Sequence, residues 1–303
     1  MRKASIKVIA LMIAVVAAGA FFYLYQTGGL WFTPRIFPDV AQLEKDLGAV
    51  TEKAQTALKT AVGQVPQKIS APAPLRAVNK TTGAALTNVG VISLTNLERA
   101  KNGVAPLAEN SRLDSAAFMK AKDMLKYQYF DHVSPSGMTL SDLDRAAGYE
   151  YISVGENLAM GNFKDNADLV RAWMDSPGHR ANILEGHFVE IGVAVIQGIY
   201  EGQTVWMAVQ EFGRPLSLCA SPDSSLASQI QANNAELERL SAEISAKKQE
   251  IENGSYASRA EYNQAVAEYN ALVNEYNALH EQNNTIIVGY NKGVDAFNVC
   301  VKL

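Results

Sequence analysis

The chain has 303 residues, 48% apolar and 19% charged, which suffices for a packed core and for more than one domain, so wholesale disorder is excluded. The net charge is −4 and the pI about 5.7, with no long basic run, so a nucleic-acid partner lacks its electrostatic footprint. Cys219 and Cys300 are the only cysteines, too few to frame a disulfide-rich secreted module, so the core must hold by packing.

The first element in chain order is an apolar run. Arg2, Lys3 and Lys7 precede Val8 to Tyr25, 18 residues without a charge. As a helix this run spans about 27 Å, close to the hydrocarbon thickness of a bilayer. The basic flank keeps the amino-terminal side in the cytoplasm. Ala18-Gly19-Ala20 suits a signal peptidase, but Phe21 to Tyr25 carries the apolar run past it. Residues 1–30 therefore read as a transmembrane anchor, with a cleaved secretion signal as the alternative. Both place the rest of the chain outside the cytoplasm. Residues 31–87 read as a juxtamembrane spacer, because the VPQKISAPAPL stretch from Val65 to Leu75 is proline-broken and extended.

Residues 88–215 have a globular pattern. Helical periodicity from Val91 ends at Gly103, and Asn110 or Ser111 caps a second helix with Leu113, Ala116, Ala117, Met124 and Leu125 on its apolar face. A third helix starts near Thr139. Asp165 or Asn166 caps a fourth, which Pro177 breaks. The period then changes to two: Val189, Ile191, Val193 and Val195 alternate, as do Val205, Met207 and Val209, around a turn at 198–202. Helices followed by a β-hairpin imply an α+β domain with helices packed on an antiparallel sheet.

Residues 221–303 show heptads. From Glu261 the units EYNQAVA, EYNALVN, EYNALHE, QNNTIIV, GYNKGVD and AFNVCVK follow one another. Leu226, Ile230, Leu237, Leu240, Ile244 and Ile251 set a similar stripe before the Asn253-Gly254-Ser255 break. This predicts an antiparallel helical hairpin of coiled-coil type, a surface for a protein partner. Cys219 and Cys300 flank it. Their arms to the turn differ, about 35 against about 45 residues, so a disulfide at the base requires a bend near Gly289 or Gly293.

Three of the four histidines, His132, His179 and His187, fall in the middle segment. Each has a plain structural role open to it: a helix cap, a bond to a backbone carbonyl, a packed ring at a strand start. Glu156 lies in the otherwise apolar segment GENLA and therefore near the core. A buried carboxylate costs several kcal/mol, on the order of 3–5, unless paired or liganded. Histidines are natural partners, and imidazoles with one carboxylate form a familiar zinc shell. There is no H-E-x-x-H and no G-x-S-x-G. Composition and spacing thus yield a polar His/Glu cleft able to hold a divalent metal.

Five ordered stretches, TNLERAKNGVAPLAENSRLDSAA, DHVSPSG, GYEYISVGENLAMG, WMDSPGHRANIL and EIGVAV, resemble the CAP superfamily (cysteine-rich secretory proteins, antigen 5, pathogenesis-related proteins), closest to its bacterial extracellular branch. The resemblance implies an α-β-α sandwich and a cleft lined by two histidines and two acidic residues. His132, Glu156 and His187 match three of these positions. The second acidic position falls at Asp175-Ser176-Pro177, where S-P-G-H-R replaces it and His179 fills the gap. Asn157 and Arg180 read as supporting residues that fix the loop. The resemblance implies a binding module for a divalent metal such as zinc, or for a lipid or sterol-like ligand. Two alternatives remain: a His- or metal-dependent hydrolase with Ser134 or Ser136 as nucleophile, and a structural envelope protein that assembles through its coiled coil.

Overall fold

A computed structural model describes residues 67–80 and 85–302. The expected anchor and most of the spacer lie outside the described residues. Among the described residues no helix is long and apolar enough to cross a membrane.

The chain forms β1 (Lys68–Ser70), β2 (Leu75–Lys80), α1 (Asn88–Lys101), β3 (Ala108–Glu109), α2 (Ser111–Tyr127), α3 (Leu140–Ala146), β4 (Tyr151–Asn162), α4 (Asn166–Asp175), α5 (Pro177–Ile183), β5 (Glu190–Tyr200) and β6 (Gln203–Pro215), then α6 (Ser224–Asn253) and α7 (Arg259–Cys300). Helix starts follow local chemistry. Thr87, Asn110, Thr139 and Asp165 cap α1 to α4, with a reciprocal capping box at Thr139 and Asp142. Pro177 opens α5 at a position where its missing N–H costs nothing.

The sheet is mixed. β4, β6 and β5 form its antiparallel centre, β3 pairs parallel to β5, and β1 and β2 both pair parallel to β4. The centre is antiparallel as expected, and three short parallel pairings extend it at the edges. Alternation sorts the side chains onto two faces. Ala159, Val193, Ala208 and Phe212 pack under α1, α4 and α5 around Trp173. Leu158, Ala194, Met207 and Val209 pack under α2. The result is the expected α-β-α layering.

Residues 67–80 depart from the spacer reading. Lys68–Ser70 pairs with Ser153–Gly155, and Leu75 and Arg76 pair with Ala159 and Met160. The prolines are confined to the unpaired stretch between the two ladders, the place on a sheet edge where a missing N–H is tolerated.

α6 and α7 form an antiparallel hairpin. Ile230, Leu237, Leu240, Ile244 and Ile251 are buried on α6, and Ala265, Tyr269, Tyr276, Asn283, Tyr290, Val294 and Phe297 on α7. Lys247 Nζ meets Glu268 Oε2 at 2.6 Å near the turn. At the base Cys219 and Cys300 form a disulfide, and Phe297 and Val301 pack on Ile152 of β4. No bend is needed. The 42-residue α7 is continuous and about 63 Å long at 1.5 Å per residue. The 30-residue α6 gives about 45 Å. The five non-helical residues Cys219 to Asp223 span the remainder at about 3.3 Å each.

The bond closes a loop with a sequence separation of 81 residues. Loop-closure entropy then contributes about 4–5 kcal/mol. We expect Cys219→Ser/Cys300→Ser to lower the urea midpoint of the hairpin, read by helical circular dichroism, by a corresponding amount. An unchanged midpoint would show that packing alone sets the hairpin.

Candidate functional site

The site grows from one buried residue. Glu156 lies in the middle of β4 and is fully buried. Its register partner on β6 is Glu211, also buried, and both point to the face covered by α2 and α3. Like charges directly opposite on neighbouring strands repel, so each carboxyl needs its own remedy.

Glu156 Oε1 lies 2.6 Å from His132 Nδ1. The other ring nitrogen, Nε2, lies 2.6 Å from the Pro72 carbonyl oxygen. Both partners accept, so His132 carries a hydrogen on each nitrogen. Burial pulls the His132 pKa down, but the Glu156 hydrogen bond and charge and the Pro72 carbonyl outweigh it, and the net shift is upward. Lys120, buried on α2, donates to the His132 carbonyl at 2.6 Å and holds this loop in place. Burial lowers the Lys120 pKa, against the attraction of Glu156 and three further carboxylates.

Glu211 meets Asp144 of α3. Burial drives the Glu211 carboxyl well above its usual range, and the charges of Asp144 and Glu156 add to this. Burial also raises Asp144, to about 7. Burial therefore favours the protonated form of Glu211 beside Asp144.

His179 stands at the start of α5, buried, with Nδ1 2.8 Å from Ser176 Oγ. Burial first, then the positive His132, push its pKa down to about 4, while the Leu158 backbone opposes. His179 is a neutral ring beside a charged one. Asn157 fixes it from the other face of β4: its Nδ2 donates to the His179 carbonyl and to Gln210 Oε1, both at 3.1 Å. Asn182 Nδ2 donates to Asn157 Oδ1 at 3.0 Å.

His132, Glu156 and His179 therefore come together, with Asn157 in a supporting place. His187 does not join them. Its Nδ1 pairs with Glu185 at 2.8 Å and its side chain is 64% exposed. In the loop before β5, Phe188 turns inward instead and stacks on Phe212, with ring centroids 5.6 Å apart. Arg180 is exposed and makes no side-chain hydrogen bond among the described residues. The loop between α5 and β5 is held instead by buried Arg99, which donates to the carbonyls of Ala105, Ile183, Glu185 and Phe188.

The donor set does not fit a metal. Both nitrogens of His132 are taken, His187 is elsewhere, and no group of three or more His, Cys, Asp or Glu among the described residues is arranged to hold an ion. Ser134 is a turn former, since its Oγ accepts from the Met138 amide at 2.9 Å and pairs with Ser136 Oγ. Composition and spacing did not point to Lys120, Asp144 or Glu211. Each interrupts an apolar face: Lys120 lies among Ala116, Ala117, Ala121 and Met124, and Glu211 continues the alternation of Val205, Met207 and Val209.

Residues 92–212 match the profile of the cysteine-rich secretory protein (CAP) family. An uncharacterized protein of Bacillus subtilis, YkwD, is 38% identical over 163 residues, 52% of this chain and 62% of that protein. An uncharacterized membrane protein of Bacillus subtilis, YlbC, is 33% identical over 110 residues, 36% of this chain and 32% of that protein. The chain thus spans under two thirds of either relative. A crystal structure of an extracellular protein containing an SCP domain from Bacillus anthracis is 30% identical, with a TM-score of 0.37, covering 42% of this chain and 40% of that one.

Two titrations follow from the geometry. The ring signals of His132 and His179 should titrate apart by NMR, His132 above 6.5 and His179 near 4. Asp144 is raised from 3.8 to about 7, so its contribution to stability is fully present below pH 3.8 and is lost as pH rises through 7. We expect Asp144→Asn to flatten the fall in urea midpoint between pH 4 and 7. A slope equal to that of the unmodified protein would place the titration elsewhere.

Proposed function

The chain carries a CAP domain of bacterial type over residues 92–212, and from that premise we propose that it is a membrane-associated binding module that works outside the cytoplasm rather than a hydrolase. The observation that carries this reading is His132. It is held between the Glu156 carboxylate and the Pro72 carbonyl, so neither nitrogen is available as a general base. His179, close by, pairs with the Ser176 hydroxyl, and burial lowers its pKa to about 4. What the site offers is a charged N–H aimed at a backbone carbonyl, which is recognition chemistry.

The location rests on separate supports. The Cys219–Cys300 disulfide belongs to an oxidising compartment. The apolar run after Arg2, Lys3 and Lys7 suits an anchor, and one relative is named a membrane protein. The hairpin serves in this reading as a coiled-coil surface for a protein partner, with Val288 and Val299 exposed on α7.

A lipid-like ligand has a separate place. A cavity of about 390 Å³ opens where the CAP domain meets the hairpin base, with Ile152, Val154, Phe188 and Val301 as its apolar wall and Lys68 and Arg214 on its rim. That lining favours an anionic amphiphile.

Two measurements test these readings. Incubation of the full chain with ester, amide and peptide reporters, with zinc or with chelator, should give no turnover that depends on His132. Turnover abolished by His132→Ala or by chelation would make the protein an enzyme. A fluorescent long-chain fatty acid should bind at least fivefold more weakly to Arg214→Glu. Equal affinity would remove the junction cavity as its site.

A further inference from the structure

Residues 67–77 lie along the free edge of β4, and their construction is that of a ligand. They pair parallel to β4 at both ends, through Lys68–Ser70 and again from Leu75. Between these ladders, Ala71 to Pro74 oppose only Glu156 to Leu158, four residues against three. Pro72 and Pro74 have no N–H to give, so the chain stands off the strand at this point. His132 reaches into that gap and links the two segments, through the Glu156 side-chain carboxylate on one side and the Pro72 backbone carbonyl on the other.

The domain is cut away beneath this segment. A Cβ on Gly178 would lie 2.6 Å from Pro72 Cβ, and one on Gly161 would lie 2.5 Å from the Ala77 carbonyl oxygen. Asn182 Nδ2 donates to the Ser70 carbonyl at 3.3 Å, and Arg76 lies over the rings of Phe130 and Tyr200 at 5.1 and 5.7 Å. The side chains of residues 67–77 are all exposed or half-buried, in contrast to β4, which is buried along nearly its whole length. The segment also precedes the region that matches the family. An edge strand with short ladders and exposed side chains belongs to the part of a fold that opens first.

We infer that residues 67–77 are a displaceable strap, and that the β4 edge with His132 is a binding site for an extended, proline-broken peptide whose backbone carbonyl takes the place of the Pro72 carbonyl. Strand addition supplies the ladder hydrogen bonds at each end of such a ligand. His132 supplies a charge-assisted bond at the break, where prolines remove the competing N–H groups. The chain's own strap has this chemistry and occupies the site in cis. This inference rests on the binding reading of the His132 site and names its ligand class.

The test severs the strap without altering its sequence. A protease recognition sequence is inserted within residues 81–84 of the full chain, and the protein is cleaved. A fluorescein-labelled synthetic peptide of residues 66–78 is then titrated. The cleaved domain should stay folded, release the strap and bind the peptide saturably. The uncleaved chain should not bind it, and His132→Ala in the cleaved protein should weaken binding at least tenfold. Unfolding on cleavage, or a strap fragment that excess peptide cannot displace, would make residues 67–77 an integral strand and overturn the inference. Peptide binding that is indifferent to His132→Ala would leave the strap displaceable but remove His132 from recognition, the failure that belongs to the functional reading. A second variant needs no cleavage. Gly178→Ala should speed hydrogen exchange of the amides of 68–77 at least tenfold while those of β6 stay as they were. Unchanged exchange at 68–77, or equal acceleration of both, would overturn the inference as well.

Discussion

Two carboxyl groups face each other across β4 and β6 in the interior, and the rest of the site is arranged around that fact. Glu156 and Glu211 are register partners, both buried. Leaving either unpaired would cost several kcal/mol, on the order of 3–5. The two are relieved differently. Glu211 is pushed toward its neutral form, with Asp144 raised beside it. Glu156 takes a hydrogen bond from His132, with Lys120 behind. Each remedy comes from a different element: Asp144 from α3, Lys120 from α2, His132 from the loop between them. The layer that covers this face of the sheet is therefore positioned by polar demands as well as by Leu158, Met207 and Val209 beneath it.

Much of this was legible because its signals are local. The helix caps at Asn110, Thr139 and Asp165 act through their own side chains within three residues, and the alternation of β5 and β6 reports a face in each strand. β4 was not recognised as a strand for a physical reason: it is buried on both faces, so Tyr151 to Gly161 carries no alternation and reads only as an apolar run. The edge strands were hidden by the opposite effect. Pro72 and Pro74 argue against a strand, and they occupy the stretch where β1 and β2 leave the ladder. Among the site residues, His132, Glu156 and His179 were legible as polar groups in apolar surroundings. His187 was misplaced because, in the loop before β5, the neighbouring Phe188 has more apolar surface to bury and takes the inward position. Lys120 was readable in principle, as a charge on the inward stripe of α2.

The hairpin shows how a simple repeat is held in one register. Its stripe of tyrosines and aliphatics would tolerate a slip of seven residues. Three polar or covalent points prevent it. Lys247 meets Glu268 near the turn. In the middle, Asn283 lies within hydrogen-bond distance of Asn233 and Asn234, at 3.2 and 2.8 Å. A buried amide layer of this kind is satisfied in one alignment only. At the base the Cys219–Cys300 bond fixes the ends, and Phe297 and Val301 join Ile152. The hairpin is thereby attached to β4, the same strand that carries Glu156.

That shared strand links the parts of the molecule. Ile152 of β4 supports the hairpin base, Ser153 to Gly155 pair with the strap, and Glu156 follows directly with the His132 contact. The cavity at the junction is bounded by Lys68 of the strap, Arg214 of β6 and Val301 past the end of α7. Gly155 is both the last β4 partner of β1 and the residue before Glu156, so lifting β1 from the β4 edge acts on the backbone next to the carboxylate that His132 holds.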